Sequence, residues 1–142
     1  MVEYTAQDWI ERLHLEPHPE GGYYRETYAS TEVIPAGTLA QFDAPRHCCT
    51  GIYYLLANED VSHLHRIKSD EMWHFYDGTG LIIHIFDLEG DYIAQPLGEA
   101  AGVFQFVVPA GCWFGAEVEK GQGYALVGCT VSPGFDFRDF EL

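Results

Sequence analysis

The residues Val61 to Gly78, V-S-H-L-H-R-I-K-S-D-E-M-W-H-F-Y-D-G, place His63, His65, Glu71 and His74 within a dozen positions. Both halves alternate as strands do, around a polar run, Lys68-Ser69-Asp70, that reads as a turn. Successive side chains of a strand point to opposite faces, so His63 and His65 should project together, with Cα atoms about 7 Å apart. Val61 and Ile67 share their face, and Ser62, Leu64, Arg66 and Lys68 take the other. In the second half Glu71, Trp73, Phe75 and Asp77 share one face, opposite Met72, His74 and Tyr76. A hairpin closed with Glu71 toward the histidines gathers two imidazoles and a carboxylate. That is a metal site lacking a ligand, or an acid–base site. His74 joins it only if a bulge turns it inward.

Outward from this stretch the chain reads as strands. Thr50–Ala57 is an apolar run closed by Asn58-Glu59-Asp60, and Leu81–Leu88 ends at a turn over Glu89-Gly90. Further strands are expected over Tyr92–Leu97, Val103–Val108 and Tyr124–Val131, with bends at Pro109-Ala110-Gly111 and Lys120–Gly123. An aromatic, acidic tail, Phe135–Leu142, closes the chain. The one helix is Thr5–Leu15, with Thr5 as N-cap, Asp8 completing a capping box, and Ala6, Trp9, Ile10 and Leu13 as its apolar stripe. Pro17 and Pro19 end it. Gly21-Gly22 then turns the chain into a strand whose faces carry Tyr23, Arg25 and Thr27 on one side and Tyr24, Glu26 and Tyr28 on the other. Short strands with turns every 8 to 12 residues, and no βαβ alternation, indicate an all-β sandwich or barrel.

The 142 residues fit one domain, 1–142, able to bury a core. A net charge of −15 repels nucleic acid and anionic membrane surfaces, so neither is an expected partner. No apolar run approaches the roughly 20 residues of a membrane span. The opening residues lack the basic and apolar regions of a signal peptide, and a cytoplasmic location is the expectation. Cys48, Cys49, Cys112 and Cys129 form no C-x-x-C pair and read as small core residues of a reducing compartment.

The hairpin resembles the first motif of the cupin superfamily: H-x-H, a glutamate, and a glycine seven positions beyond it, here His63, His65, Glu71 and Gly78. Pro109-Ala110-Gly111 resembles the start of the second motif. His18–Tyr28 (H-P-E-G-G-Y-Y-R-E-T-Y), His65–His74, Val108–Phe114 and Pro133–Phe137 are similar to a small, uncharacterised branch of that superfamily. The resemblance implies an RmlC-like double-stranded β-helix, a jelly-roll barrel, with its site in the barrel mouth, assembled as a homodimer. It departs from the metal-binding pattern at Phe114, where the last histidine ligand would stand, and the gap from His65 to Glu71 is longer than usual. His63, His65 and Glu71 remain as a three-ligand set for a divalent metal.

Three functions follow. The first requires no metal: an isomerase or epimerase of a sugar or nucleotide sugar, the chemistry of some metal-free cupins that use a histidine base. His65 or His74 would abstract a proton beside a carbonyl, Glu71 would orient that base or act as the acid, and Tyr23, Arg25, Trp73 and Trp113 would hold the small molecule. A carboxylate among Trp73, Phe75 and Trp113 would have its pKa raised by desolvation, unless Arg25 or Arg66 pairs with it. The second is a non-catalytic small-molecule-binding module. The third is a metal-dependent oxygenase or hydrolase. His84 reads as a core histidine, His14, His18 and His47 as surface or loop residues, and Asp136 as a tail residue that could reach the site.

Overall fold

A computed structural model describes residues 3–142; the first two residues of the stretch read for a signal peptide lie outside it. Helix α1 (Ala6–Arg12) starts at the Thr5–Asp8 capping box. Twelve strands follow: β1 (Glu16–Pro17), β2 (Tyr23–Ala29), β3 (Val33–Ile34), β4 (Arg46–His47), β5 (Thr50–Ala57), β6 (Val61–His65), β7 (Asp70–Gly78), β8 (Leu81–Phe86), β9 (Tyr92–Leu97), β10 (Gln105–Val108), β11 (Trp113–Val118) and β12 (Tyr124–Ser132). They form a six-stranded antiparallel sheet, β1-β2-β5-β12-β7-β10, facing a four-stranded one, β6-β11-β8-β9, with β3-β4 as a small ribbon. No helix among the described residues is long and apolar enough to cross a membrane.

The core between the sheets is built from alternate residues of facing strands, among them Ile83 and Ile85 of β8, Phe114 and Ala116 of β11, and Val127 and Cys129 of β12. The outer face of the six-stranded sheet is covered as well, where Trp9 and Ile10 of α1 and its C-cap Leu13 pack on Leu55 and Leu126. That double coverage is why Tyr54, Leu55 and Leu56 are all buried without alternation. The Trp9 indole donates to Asp77 Oδ2 at 3.1 Å, and the Tyr124 hydroxyl donates to the same oxygen at 2.6 Å, pinning the helix.

Two expectations fail in instructive ways. β6 and β7 do not pair as a hairpin: residues 66–69 carry the chain from one sheet to the other. The face parity in β6 also breaks. His65 stands opposite Phe114 and Ser62 opposite Ala116, so His63 and Leu64 together face the single residue Gly115. This β-bulge turns Ser62 and His65 inward and leaves His63 and Leu64 exposed. A second bulge, at Tyr76 of β7, sends Asp77 to the helix side; it lies past His74 and leaves that ring on the outer face. The strand Trp113–Val118 had no counterpart in the sequence reading, because Gly115 and Ala116 interrupt its β-branched character.

The bulge needs glycine across from it. A Cβ at Gly115 would meet Ser62 O at 2.6 Å and Leu64 N at 3.3 Å, both backbone atoms. Gly115→Ala should therefore cost about 1–3 kcal/mol. Urea unfolding checks this; an unchanged midpoint would show that the bulge is not held by this contact.

Candidate functional site

Strand β2 enters the six-stranded sheet with Tyr24 opposite Tyr54 and Tyr23 opposite Leu55. Directly opposed residues share a face, so Tyr24 and Glu26 look into the barrel, and Tyr23 packs in the cluster beneath α1. The turn before β2 folds over the barrel end. Gly21 has φ +108°, which L side chains rarely adopt, and a Cβ there would collide with Val61 O. The turn is stitched to the β6 bulge by His63 N–H donating to Glu20 O at 2.9 Å, and to β5 by the Tyr54 hydroxyl donating to Gly21 O. Glu20 is thereby delivered to His65. Its Oε2 lies 2.8 Å from His65 Nε2, while His65 Nδ1 lies 2.7 Å from His63 O.

A carbonyl and a carboxylate both only accept, so the His65 ring donates through both nitrogens and is the imidazolium. Burial opposes that charge, but the hydrogen bond to Glu20, the charges of Glu20 and Glu71, and the His63 carbonyl outweigh it and raise the pKa. His18 is set the other way. Its Nδ1 accepts from Glu20 N–H at 3.0 Å, and burial, against the pull of Glu20, lowers its pKa. His18 is a neutral ring with its proton on Nε2.

These groups line a cavity of about 140 Å³. Glu16, His18, Glu20, Tyr24 and Glu26 come from the N-terminal segment, Thr50 and Ile52 from β5, and His65 from β6. Glu71 comes from β7, Cys129 and Val131 from β12, and Phe135 and Phe137 from the tail. The tail is held by a buried two-point pair, Arg46 Nε and Nη2 donating to Asp139 at 2.8 and 2.7 Å. It lays Phe140 against His65, with ring centroids 5.3 Å apart. Phe114 lies against the same ring at 4.2 Å. This phenyl, which stands where the resemblance implies a last histidine ligand, packs at a tilt against the imidazolium, and an aromatic ring attracts a cation.

Glu71 is 8% exposed, and among the described residues no group hydrogen-bonds its carboxyl. The indole N–H of Trp73 is near enough to favour the ionised form but falls outside hydrogen-bonding geometry and stays unpartnered. Burial first, and the Glu20 carboxylate next, raise the Glu71 pKa to about 7, against the opposing pull of His65. At neutral pH the group is divided between acid and base. Cys129 is buried beside it, and burial, Glu71 and Glu20 hold the thiol protonated, so it is no nucleophile.

Of the residues singled out in the sequence, His65 and Glu71 meet at the cavity. His63 is exposed on the outer side of the bulge, beside His84, Phe86 and Tyr92. His74 accepts or donates on the outer sheet face to Thr130 Oγ1 at 3.0 Å. Arg25 is exposed and donates to Leu13 O, and Arg66 pairs with Glu141 over the Trp113 ring, so neither neutralises Glu71. Tyr23 lies under the helix, Trp73 is core, and Asp136 pairs with Arg138. His63 and His74 are thus removed from the site by strand geometry, and Tyr23, Arg25 and Trp113 by face and sheet. Among the described residues no group of three or more His, Cys, Asp or Glu side chains is placed to hold a metal, and both His65 nitrogens are engaged. The set His63, His65 and Glu71 does not fit one. Sequence reasoning missed Glu20 and His18. The signal was present in the density of His18, Glu20 and two glycines within five residues.

Two facing antiparallel sheets with ionisable groups gathered at one end of the barrel define a jelly roll of the double-stranded β-helix type. The chain belongs to the cupin superfamily: residues 7–142 match the family model described as Cupin superfamily (DUF985). A hypothetical protein from Leishmania major is 39% identical, with a TM-score of 0.86 over 98% of this chain and 87% of that one. A protein from Shewanella oneidensis is 44% identical, with a TM-score of 0.85 over 99% and 85%. Oxalate decarboxylase from Bacillus subtilis shares the fold at 17% identity, with a TM-score of 0.64 over 88% of this chain and 28% of that one. No match was found among curated proteins.

The raised Glu71 pKa makes a stability prediction. Unfolding returns the carboxyl from about 7 to its ordinary value near 4.5, so the folded state holds the extra proton between these pH values. Its contribution is fully present below about pH 4.5 and lost as pH rises through about 7. His65, also raised, acts in the same sense. Glu71→Gln should flatten the fall in stability between about pH 5 and 8 and gain up to about 3 kcal/mol over the native protein at the alkaline end. Parallel slopes for the two proteins in urea melts would refute the assignment.

Proposed function

We propose that the cavity is a metal-independent acid–base site that moves a proton on a small polar molecule, an isomerisation or epimerisation of the sugar type. The observation that carries this is Glu71: buried, without a hydrogen-bond donor, and raised to about 7 beside an imidazolium. A general base is most effective when its pKa lies near the working pH. His65 is a fixed cation, its two nitrogens saturated by Glu20 and the His63 carbonyl. His18 Nε2–H and the Tyr24 hydroxyl are the donors available to a substrate oxygen. Ionised Glu71 takes the proton from the carbon beside a carbonyl, and the enolate is held by these donors. Protonated Glu71, in exchange with solvent, returns a proton to the neighbouring carbon or, once the intermediate has turned over, to the other face. No oxidant or further reactant is consumed. Among the described lining residues there is no lysine or arginine to hold a diphosphate, which favours a free sugar-sized substrate over a nucleotide sugar.

The direct test is exchange of the proton beside the carbonyl of small aldoses and ketoses in D2O, followed by proton NMR. The rate should rise with pH through about 7 and fall by about 100-fold or more in Glu71→Gln. Exchange that survives Glu71→Gln, or declines with pH, refutes the role.

The homodimer expected from the resemblance remains part of the proposal. Leu64, Phe86 and Tyr92 are exposed on the outer face of the four-stranded sheet, a patch that pairing would cover. Light scattering after size exclusion should give twice the 16.0 kDa chain mass; a monomer at micromolar concentration would contradict it.

A further inference from the structure

The acid–base reading leaves the ligand's charge open, and the cavity constrains it. Glu16, Glu20, Glu26 and Glu71 line it, and among the described lining residues there is no lysine or arginine. The one cation, His65, is consumed by Glu20 at 2.8 Å, and the other imidazole, His18, is neutral. Acidity alone would describe a solvated surface. The second observation is Glu71, nine-tenths buried and facing the cavity, with no hydrogen bond from the described residues, the nearby Trp73 indole N–H included. Buried carboxylates are ordinarily paired, so its partner is to be sought in what enters. The walls contributed by Ile52, Val131, Phe135 and Phe137 are apolar or aromatic, and aromatic faces attract cations as well as apolar surface.

We infer that the cavity takes a compact primary amine in its ammonium form, one that donates from nitrogen to one oxygen of Glu71, leaves the other oxygen for the reacting proton, and rests its carbon skeleton on the Phe135 and Phe137 rings. The inference rests on the acid–base reading of Glu71 and names the substrate class of that same site: an amino polyol or amino sugar rather than a neutral or phosphorylated one. A cavity of about 140 Å³ is close to the roughly 150 Å³ known to hold benzene, so a ring of about six atoms with one polar substituent fits. An anion, whether carboxylate or phosphate, would be buried against Glu71 and Glu20 with no free cation to compensate. A bound ammonium would also favour ionised Glu71, so a proton leaves as the amine binds and affinity rises with pH through about 7.

The test uses three probes of one shape, cyclohexylammonium, cyclohexanol and cyclohexanecarboxylate, titrated calorimetrically into the full chain at about pH 8, where Glu71 is ionised. The ammonium should bind at least about tenfold more tightly than the alcohol, and the carboxylate more weakly than either. In Glu71→Gln the ammonium's advantage should shrink to within about twofold, with binding of the alcohol retained as the sign that the cavity is intact. Equal binding of ammonium and alcohol, tighter carboxylate binding, an advantage that survives Glu71→Gln, or no binding by any probe would each overturn the amine assignment. Carbon NMR titration of Glu71 decides the underlying reading separately. A midpoint near 7 with no amine preference sinks the ligand class alone; a midpoint in the ordinary carboxylate range sinks the acid–base site, whichever probe binds.

Discussion

The contact on which the site depends is the ion pair between His65 and Glu20, 2.8 Å apart and buried on both sides. Two charges withdrawn from water cost several kcal/mol each unless every donor and acceptor is met. Here the second imidazole nitrogen is met by the His63 carbonyl, and two aromatic rings close over the imidazolium. The pair requires three separate constructions. The β6 bulge turns His65 inward, the Gly21 turn brings Glu20 down onto it, and the Arg46–Asp139 pair holds the tail that lays Phe140 across it. None of these is local to the others in sequence, so the site is a product of the barrel rather than of a single motif.

The pair also sets the state of Glu71. Two carboxylates near one imidazolium cannot both be fully compensated, and Glu20 has the shorter claim. Glu71, buried and left without a donor, keeps its proton to about pH 7. The division of roles is environmental: two glutamates of the same chemistry, one consumed in structure and one left titratable. Phe114 belongs to this arrangement. At 4.2 Å from His65 it excludes water and leaves the imidazole to Glu20.

How much of this was legible in the sequence follows from the range of each interaction. Thr50–Ala57 and Tyr92–Leu97 were delimited to the residue by their apolar patterns and turns, and the Thr5–Asp8 box located the helix start. Glu71, Trp73 and the outward His74 obeyed simple alternation because β7 is regular up to Tyr76. The H-x-H pair did not, since its alternation is broken by Gly115, fifty residues downstream, and no local pattern announces a partner strand. The choice of Tyr23 and Arg25 over Tyr24 and Glu26 was a choice between two faces of β2. It is decided only by the helix that covers one of them.

Glu20 shows the limit most sharply. As a loop residue between proline and two glycines it has no periodicity to read, and its value lies in being carried to His65, forty-five residues away. Yet the physical reason for its neighbours is strict: Gly21 takes φ +108° against the Val61 carbonyl, where no side chain fits. A glycine that cannot be replaced fixes the backbone on either side of it, and what it fixes here is the carboxylate that charges His65. The same fixed carboxylate denies the imidazolium to any incoming anion. The charge selectivity of the cavity is therefore written first in the backbone of the Glu20–Gly22 turn, and only then in the acidic side chains that line it.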